Sequence, residues 1–134
     1  MINSSLDDIV TKMEDYSTRH IWDPNFEKGM LIKDIGPDVQ LHYVKTKKVA
    51  MVSSRDQYLL FYGKDIPANC SPTGKRFKII AAKSKDLDEY PPTQGAVRAS
   101  SKILGYYLEE IEPEKTDVHF LIESDFKISL FIQK

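Results

Sequence analysis

The side chains that could carry out chemistry are few and widely separated in this sequence. His20, His42 and His119 are its three histidines, and no two lie at the close spacing that is typical of paired zinc ligands. Cys70 is the single cysteine and has no adjacent cationic side chain to activate its thiol. No serine lies in a Gly-x-Ser-x-Gly elbow. We therefore expect no metal, no cofactor and no enzyme, with a three-histidine site assembled in space as the open alternative.

Arg55, Asp56 and Arg98 form a second set of candidates, because charges at the ends of apolar strands must be paired or solvated. The expected arrangement is a single ion-pair network of the three side chains that holds strand ends and turns together. The alternative is that these groups contact a ligand directly.

Three basic clusters, at residues 45–48, 75–78 and 83–85, could contact phosphates or anionic lipid headgroups. The favoured interpretation is solvated hairpin ends and lysine-protected sheet edges. The alternative is transient contact with a membrane surface. Lys plus Arg (19) nearly cancel Asp plus Glu (20), so no overall field favours nucleic acid, and we expect no nucleic-acid partner.

The elements that must position these side chains read as one helix followed by strands. Ser4 or Ser5 is a suitable N-cap, and apolar residues then recur at helical spacing, which predicts a helix over about residues 4–16. Turn residues separate the β-prone segments that follow. The predicted strands cover 30–35, 39–45, 57–62, 77–83, 96–111 and 116–122, the fifth with a kink at Gly105. This order predicts a single α+β domain over residues 1–134.

The single cysteine favours a reducing compartment. The N-terminus lacks the basic and apolar regions of a signal peptide, and the apolar runs are only a few residues long. We therefore expect a cytoplasmic protein.

Several short motifs, in a fixed order, resemble the START (StAR-related lipid-transfer) domain. The resemblance covers about residues 5–127 and rests on the order and spacing of the motifs rather than on any one of them. The residues that carry it, which we expect to have structural roles, are Trp22, Asp23, Arg55, Asp56, Pro91, Pro92, Gly95, Arg98 and Asp125.

The resemblance implies a helix-grip fold, in which a curved antiparallel sheet surrounds a C-terminal helix and encloses one lipid. It implies non-enzymatic lipid binding or intracellular lipid transfer. Strand alternation then directs a set of side chains towards the lipid, although each would serve equally as a plain core residue. These expected cavity residues are His42, Leu59, Phe61, Ile79, Val118, Phe120 and Ile122.

The sequence departs from the family pattern at both ends. The family has further segments before the position of Leu6, and residues 128–134 continue as a strand-like tail where the gripping helix is expected. We therefore expect the C-terminal gripping helix to be missing. An open apolar face is unfavourable in water, so a homodimer partner or a missing segment is expected to cover it.

The lipid class follows from the resemblance as well. Steroid-binding members of the family use a buried acid and base, and the corresponding positions here are His42 and Phe61. A phospholipid or other acyl lipid is therefore expected rather than a sterol. Two alternatives stay open: a protein-interaction module without a ligand, and a helix-grip enzyme that uses His42, His119 or Tyr106.

Overall fold

The computed structural model describes residues 1–127 and contains one α-helix and a seven-stranded curved sheet, which confirms the α+β prediction. No α-helix follows the sheet within these residues, and the predicted strand-like tail at 128–134 lies outside them. The elements are α1 (Leu6–Glu14), β1 (Phe26–Gly36), β2 (Val39–Thr46), β3 (Ser54–Ile66), β4 (Phe77–Ser84), β5 (Ala96–Arg98), β6 (Ser100–Glu112) and β7 (Lys115–Asp125).

The strands lie in the order β1-β2-β3-β4-β6-β7, and all of these neighbours are antiparallel. The short β5 lies outside this path and pairs with the start of β3 in parallel. The predicted single strand over 96–111 is therefore wrong in one respect. It divides at Ala99, whose backbone N–H donates to the Asp56 carbonyl, so that β5 and β6 pair with different strands.

The predicted kink at Gly105 is also wrong. Gly105 pairs regularly with Ala81 and Leu121, and the irregularities of β6 lie between Ser101 and Ile103 and between Glu110 and Glu112. One extra residue on β6 at each of these places bends the strand near its two ends rather than at its centre.

Helix α1 covers one part of the sheet. The Ser5 side chain accepts a hydrogen bond from the Asp8 N–H, which caps the helix, and Asp7 and Asp8 lie favourably in its first turn. Its apolar side packs on β4 and β6 and forms the core cluster, Leu6, Val10, Ile80 and Leu108. Arg76 anchors the start of the helix through a two-pronged ion pair with Asp7. Within the described residues no other α-helix covers the rest of this sheet face.

Within residues 1–127 no helix is long and apolar enough to cross a membrane.

Candidate functional site

A groove of about 990 Å³ runs along the concave face of the sheet beside the end of α1. This volume lies at the upper end of the range for small-molecule sites. Six of the seven strands contribute to its wall, and only β5 does not. Its apolar side chains are Met13, Trp22, Phe26, Leu31, Val39, Val44, Leu59, Phe61, Ile80, Leu104, Phe120, Ile122 and Phe126.

Five of the seven expected cavity residues line this groove: His42, Leu59, Phe61, Phe120 and Ile122. Val118 is on the same side of β7 but packs against the cluster beneath α1 instead.

Ile79 was assigned to the wrong face. Its neighbour Ile80 lines the groove, whereas Ile79 is 37% exposed on the other side of β4, opposite Tyr107. Strand β4 alternates only partially in sequence, because Ile79 and Ile80 are both apolar. The sequence therefore could not show which of the two faces inward.

A row of four polar side chains crosses the apolar wall, and we call it the polar row: Asp34, Gln40, His42 and Tyr16. The Gln40 amide nitrogen lies 2.8 Å from Asp34 Oδ1, and its oxygen lies 2.9 Å from His42 Nε2. The Tyr16 hydroxyl lies 2.9 Å from His42 Nδ1. The His42 ring also makes an edge contact with Phe61, with 4.8 Å between the ring centres.

Burial governs the protonation of the two rings in the polar row. It lowers the pKa of His42 below its ordinary 6.5, against the opposing effect of the Glu14 and Asp34 charges. It raises the pKa of Tyr16 to about 12. His42 is therefore a neutral imidazole at neutral pH, and Tyr16 keeps its proton.

Tyr16 and Gly29 are functional candidates that sequence reasoning missed. The Tyr16 ring lies directly over Gly29, where an added Cβ would be 2.5 Å from Tyr16 Cδ1, and it stacks on Phe26. Gly29 lies just before the strand predicted at 30–35, so no sequence pattern indicated this close approach.

Trp22 and Asp23 lie at the groove beside α1. The Arg19 guanidinium lies over the Trp22 ring, 5.1 Å from its centre, and donates to Asp23 through Nε at 3.2 Å. The Asp23 carboxylate also accepts from the Asn25 N–H, which orders the turn into β1. Both residues thus belong to the segment that connects α1 to the first strand of the sheet.

Asp56 is fully buried at the start of β3 and is surrounded by donors. Arg98 Nε donates to it at 2.8 Å, and the Thr93 N–H donates at 2.9 Å. Burial raises the pKa of this carboxyl, but the hydrogen bonds from Arg98 and Thr93 outweigh burial and lower it below the ordinary value. Arg98 also donates to the Tyr90 carbonyl, so the pair fixes the loop that contains Pro91 and Pro92.

Arg55 does not join this pair, which corrects the predicted three-residue network. Its guanidinium donates to backbone carbonyls, at both Ser53 and Ser54 and at both Phe126 and Lys127. The charge of Arg55 is thus solvated by the backbone and ties the end of β7 to the start of β3.

Gly95 and Asp125 complete the predicted structural set. Gly95 has a φ of +80° and stands at the third position of a turn closed by the Ala96 N–H and the Thr93 carbonyl, a conformation that favours glycine. Asp125 accepts a hydrogen bond from the Lys127 N–H at 2.8 Å.

The three predicted acid–base candidates do not all face the groove. His42 is in the groove, whereas His119 pairs with Tyr107 on the other face of the sheet and contacts Asp117. Tyr106 lines the groove and stacks on Phe120. In the part of the chain that the structure describes, no cluster of three or more His, Cys, Asp or Glu could hold a metal.

The basic clusters differ in how far their charges are already engaged. Arg76 and Lys78 form ion pairs with Asp7, Asp65 and Glu14, and Lys45 pairs with Glu27. Lys47 and Lys48 lie in the exposed β2–β3 loop. The structure therefore agrees with a structural role for residues 76 and 78.

Solved structures with this fold share low sequence identity with the chain. Human STARD10 superposes with a TM-score of 0.83 at 23% identity, over 96% of this chain and 49% of that one. Human StAR-related lipid transfer protein 5 superposes with a TM-score of 0.81 at 21% identity, over 96% of this chain and 60% of that one. The human StarD13 (DLC2) lipid transfer and protein localization domain superposes with a TM-score of 0.78 at 19% identity, over 96% of this chain and 60% of that one. The chain thus spans about half to three fifths of these structures, and at such identities they show the shared fold alone.

Comparison with curated proteins gives no significant match. The family model described as START domain matches residues 3–131, which is nearly the whole chain. The sequence motifs, the curved sheet and this match agree, and the chain belongs to the START domain family.

Proposed function

We propose that this chain is a non-enzymatic lipid-binding domain that holds the acyl part of a phospholipid or other acyl lipid in the concave groove and serves lipid transfer in the cytoplasm. The observation that carries this proposal is the groove itself, with an apolar wall drawn from six strands. Family membership supports it, and similar human structures are named for lipid transfer. A groove that combines thirteen apolar side chains with a row of hydrogen-bonded polar groups suits a ligand with a long apolar part and a small polar end.

Two adjacent residues of β7 allow a matched test. Phe120 lines the groove and is 52% exposed, whereas Leu121 is 59% exposed and points to the other face. Phe120→Glu places a charge in the apolar wall. An acyl chain bound there would remove water from this charge, which is costly, so we expect at least a tenfold loss of lipid uptake. The measurement is transfer of fluorescent phosphatidylcholine and diacylglycerol between vesicles.

Leu121→Glu is the control and should transfer lipid at the wild-type rate, because its charge stays in water. Equal rates for Phe120→Glu and wild type would refute lipid binding in this groove. Far-UV circular dichroism on both variants shows whether the sheet is intact.

The β2–β3 loop suits a transient contact with membranes. Met51 at its tip is 98% exposed and Val49 is 54% exposed, directly after Lys47 and Lys48. Apolar side chains beside lysines favour the interface of an anionic bilayer. Met51→Asp should slow transfer several-fold on vesicles that contain phosphatidylserine, whereas Ile35→Asp, another exposed apolar site, should not. Unchanged transfer by Met51→Asp would exclude the loop as the contact.

One feature favours a second candidate, a protein-interaction module. Strand β7 is the last strand of the sheet path, and beyond the Ile2–Thr116 bridge no further strand of the described residues pairs with its outer edge. Its register is regular along most of its length, and such edges pair readily with strands of other chains. Native mass spectrometry of the purified protein distinguishes the two: a bound lipid supports the first candidate, and a lipid-free complex with a protein supports the second.

A further inference from the structure

The hydrogen bonds of the polar row have only one consistent direction. Asp34 presents a carboxylate, which accepts, so the group of Gln40 that faces it at 2.8 Å must be the amide nitrogen. The reverse orientation of the amide would put two acceptor oxygens against each other. The Gln40 oxygen therefore faces His42 Nε2 at 2.9 Å, and that ring nitrogen must carry the proton.

The tautomer of His42 then fixes the role of Tyr16. A neutral imidazole protonated at Nε2 has a bare Nδ1, which accepts the Tyr16 hydroxyl proton at 2.9 Å. The hydroxyl has only this one proton. Towards the groove, Tyr16 Oη therefore offers lone pairs and acts as an acceptor.

Packing holds Tyr16 in this place. Its ring lies on Gly29, where no side chain intervenes, and stacks on Phe26 at 5.9 Å between ring centres. The ring also meets His42 edge-on, 5.6 Å between centres. An acceptor held on three sides is preorganised, so a ligand donor does not have to order it.

The charges along the groove disfavour an anionic headgroup. The wall includes five carboxylates and two cations, and both cations are already paired: Arg19 with Asp23, and Lys78 with Glu14 and Asp65. An added negative charge would meet net repulsion there. The five carboxylates belong to Glu14, Asp23, Asp34, Asp38 and Asp65.

We propose that Tyr16 Oη, oriented by His42, Gln40 and Asp34, is the polar subsite of the groove and selects an uncharged acyl lipid with a free hydroxyl, such as a diacylglycerol. The lipid hydroxyl donates to Tyr16 Oη while its acyl chains lie along the apolar wall. This proposal rests on the proposed lipid-binding function and narrows its ligand. Tyr16 touches the ligand, and the other three members of the polar row are positioning residues.

The test compares two lipids that differ only in the donor: dioleoylglycerol and its 3-O-methyl ether. Binding of each to the purified protein is measured by competition against a fluorescent diacylglycerol. Wild type should bind the alcohol about three- to tenfold more tightly than the ether, which is the range of one neutral hydrogen bond. Tyr16→Phe should weaken binding of the alcohol to the level of the ether and leave binding of the ether unchanged.

Two further variants separate the subsite from general packing. Tyr62→Phe removes a hydroxyl from another groove tyrosine outside the polar row and should keep the wild-type preference. His42→Phe removes the acceptor of the Tyr16 proton, so that Tyr16 can donate, and should bring the alcohol-to-ether ratio close to one. If His42 had only a structural role, His42→Phe would weaken the binding of both lipids equally and leave the ratio of their affinities unchanged.

The outcomes distinguish this proposal from the function on which it rests. If wild type binds the alcohol and the ether equally, or if Tyr16→Phe weakens both alike, the subsite is refuted and lipid binding stands. If wild type binds neither dioleoylglycerol nor its ether, nor phosphatidylcholine, both are refuted.

Discussion

Asp56 is a carboxylate without contact with water, and its surroundings show why charged residues recur in the motifs of this chain. Arg98 provides the opposite charge, and the Thr93 backbone N–H and the Tyr43 hydroxyl donate further hydrogen bonds to the Asp56 carboxylate. A buried charge is tolerated when it is paired and hydrogen-bonded in this way. These contacts thus join four segments: β2, the start of β3, the loop before β5, and β5 itself.

Removing Arg98 should therefore be costly. Arg98→Leu leaves the Asp56 carboxylate buried without its cation, and we expect a loss of about 3–5 kcal/mol in the free energy of unfolding. Urea denaturation followed by circular dichroism measures it.

The matched control is Lys102→Leu, which breaks the Lys102–Glu123 ion pair. That pair has a similar distance of 2.7 Å, but its side chains are 78% and 61% exposed. We expect a change below about 1 kcal/mol, because exposed ion pairs contribute little. Similar losses in both variants would show that burial of Asp56 is not what makes the pair important.

The sequence predicted the identity of these residues better than their partners. Asp56 and Arg98 were expected to pair, and they do. Arg55 was expected to pair with them, but it donates to carbonyls at the end of β7, about seventy positions away. Adjacent strand residues point to opposite faces, so Arg55 and Asp56 could not both reach the same partner. The distant carbonyls have no sequence signal at all.

At the scale of elements, the helix and most strands could be predicted from local patterns. The Ser5 cap and the apolar spacing place α1, and the turn at Gly36, Pro37 and Asp38 places the β1–β2 hairpin. The ambiguous element was β4, where two adjacent isoleucines hide the alternation. The contact between Tyr16 and Gly29 was not predictable, because it depends on how the segment after α1 crosses β1.

That contact gives a prediction about β1. In Gly29→Ala the new methyl group would lie 2.5 Å from the Tyr16 ring, so the ring must move away from Gly29. We expect a loss of about 1–3 kcal/mol in the free energy of unfolding, as is typical of overpacking. Thermal and urea denaturation measure this loss.

Gly36→Ala is the control on the same strand, because nothing lies within 4 Å of its added Cβ. We expect its free energy of unfolding to be close to that of wild type. If the two variants unfold alike, Tyr16 does not pack on Gly29 as described.

At the scale of the whole molecule, the groove and the structural ion pair lie in different parts of the sheet. The concave face carries the groove and the polar row, whereas the buried Asp56–Arg98 pair holds the start of β3 against β5. Helix α1 covers part of the concave face and forms one end of the groove. The family resemblance implied a cavity, and within that expectation strand alternation directed five side chains that do line the groove: His42, Leu59, Phe61, Phe120 and Ile122. Its polar row could not be predicted, because Tyr16 and Asp34 come from segments without any motif.

Trp22, the only tryptophan of the chain, lies on the groove wall and reports on its contents. The central claim is that an acyl chain occupies this groove. Protein incubated with vesicles of brominated phosphatidylcholine or brominated diacylglycerol, and then separated from the vesicles by centrifugation, should retain quenched Trp22 fluorescence, because bromine on a bound chain lies close to the ring. Phe120→Glu should abolish this quenching, and Leu121→Glu should not. Unquenched Trp22 in the separated wild-type protein, with either lipid, would contradict the account.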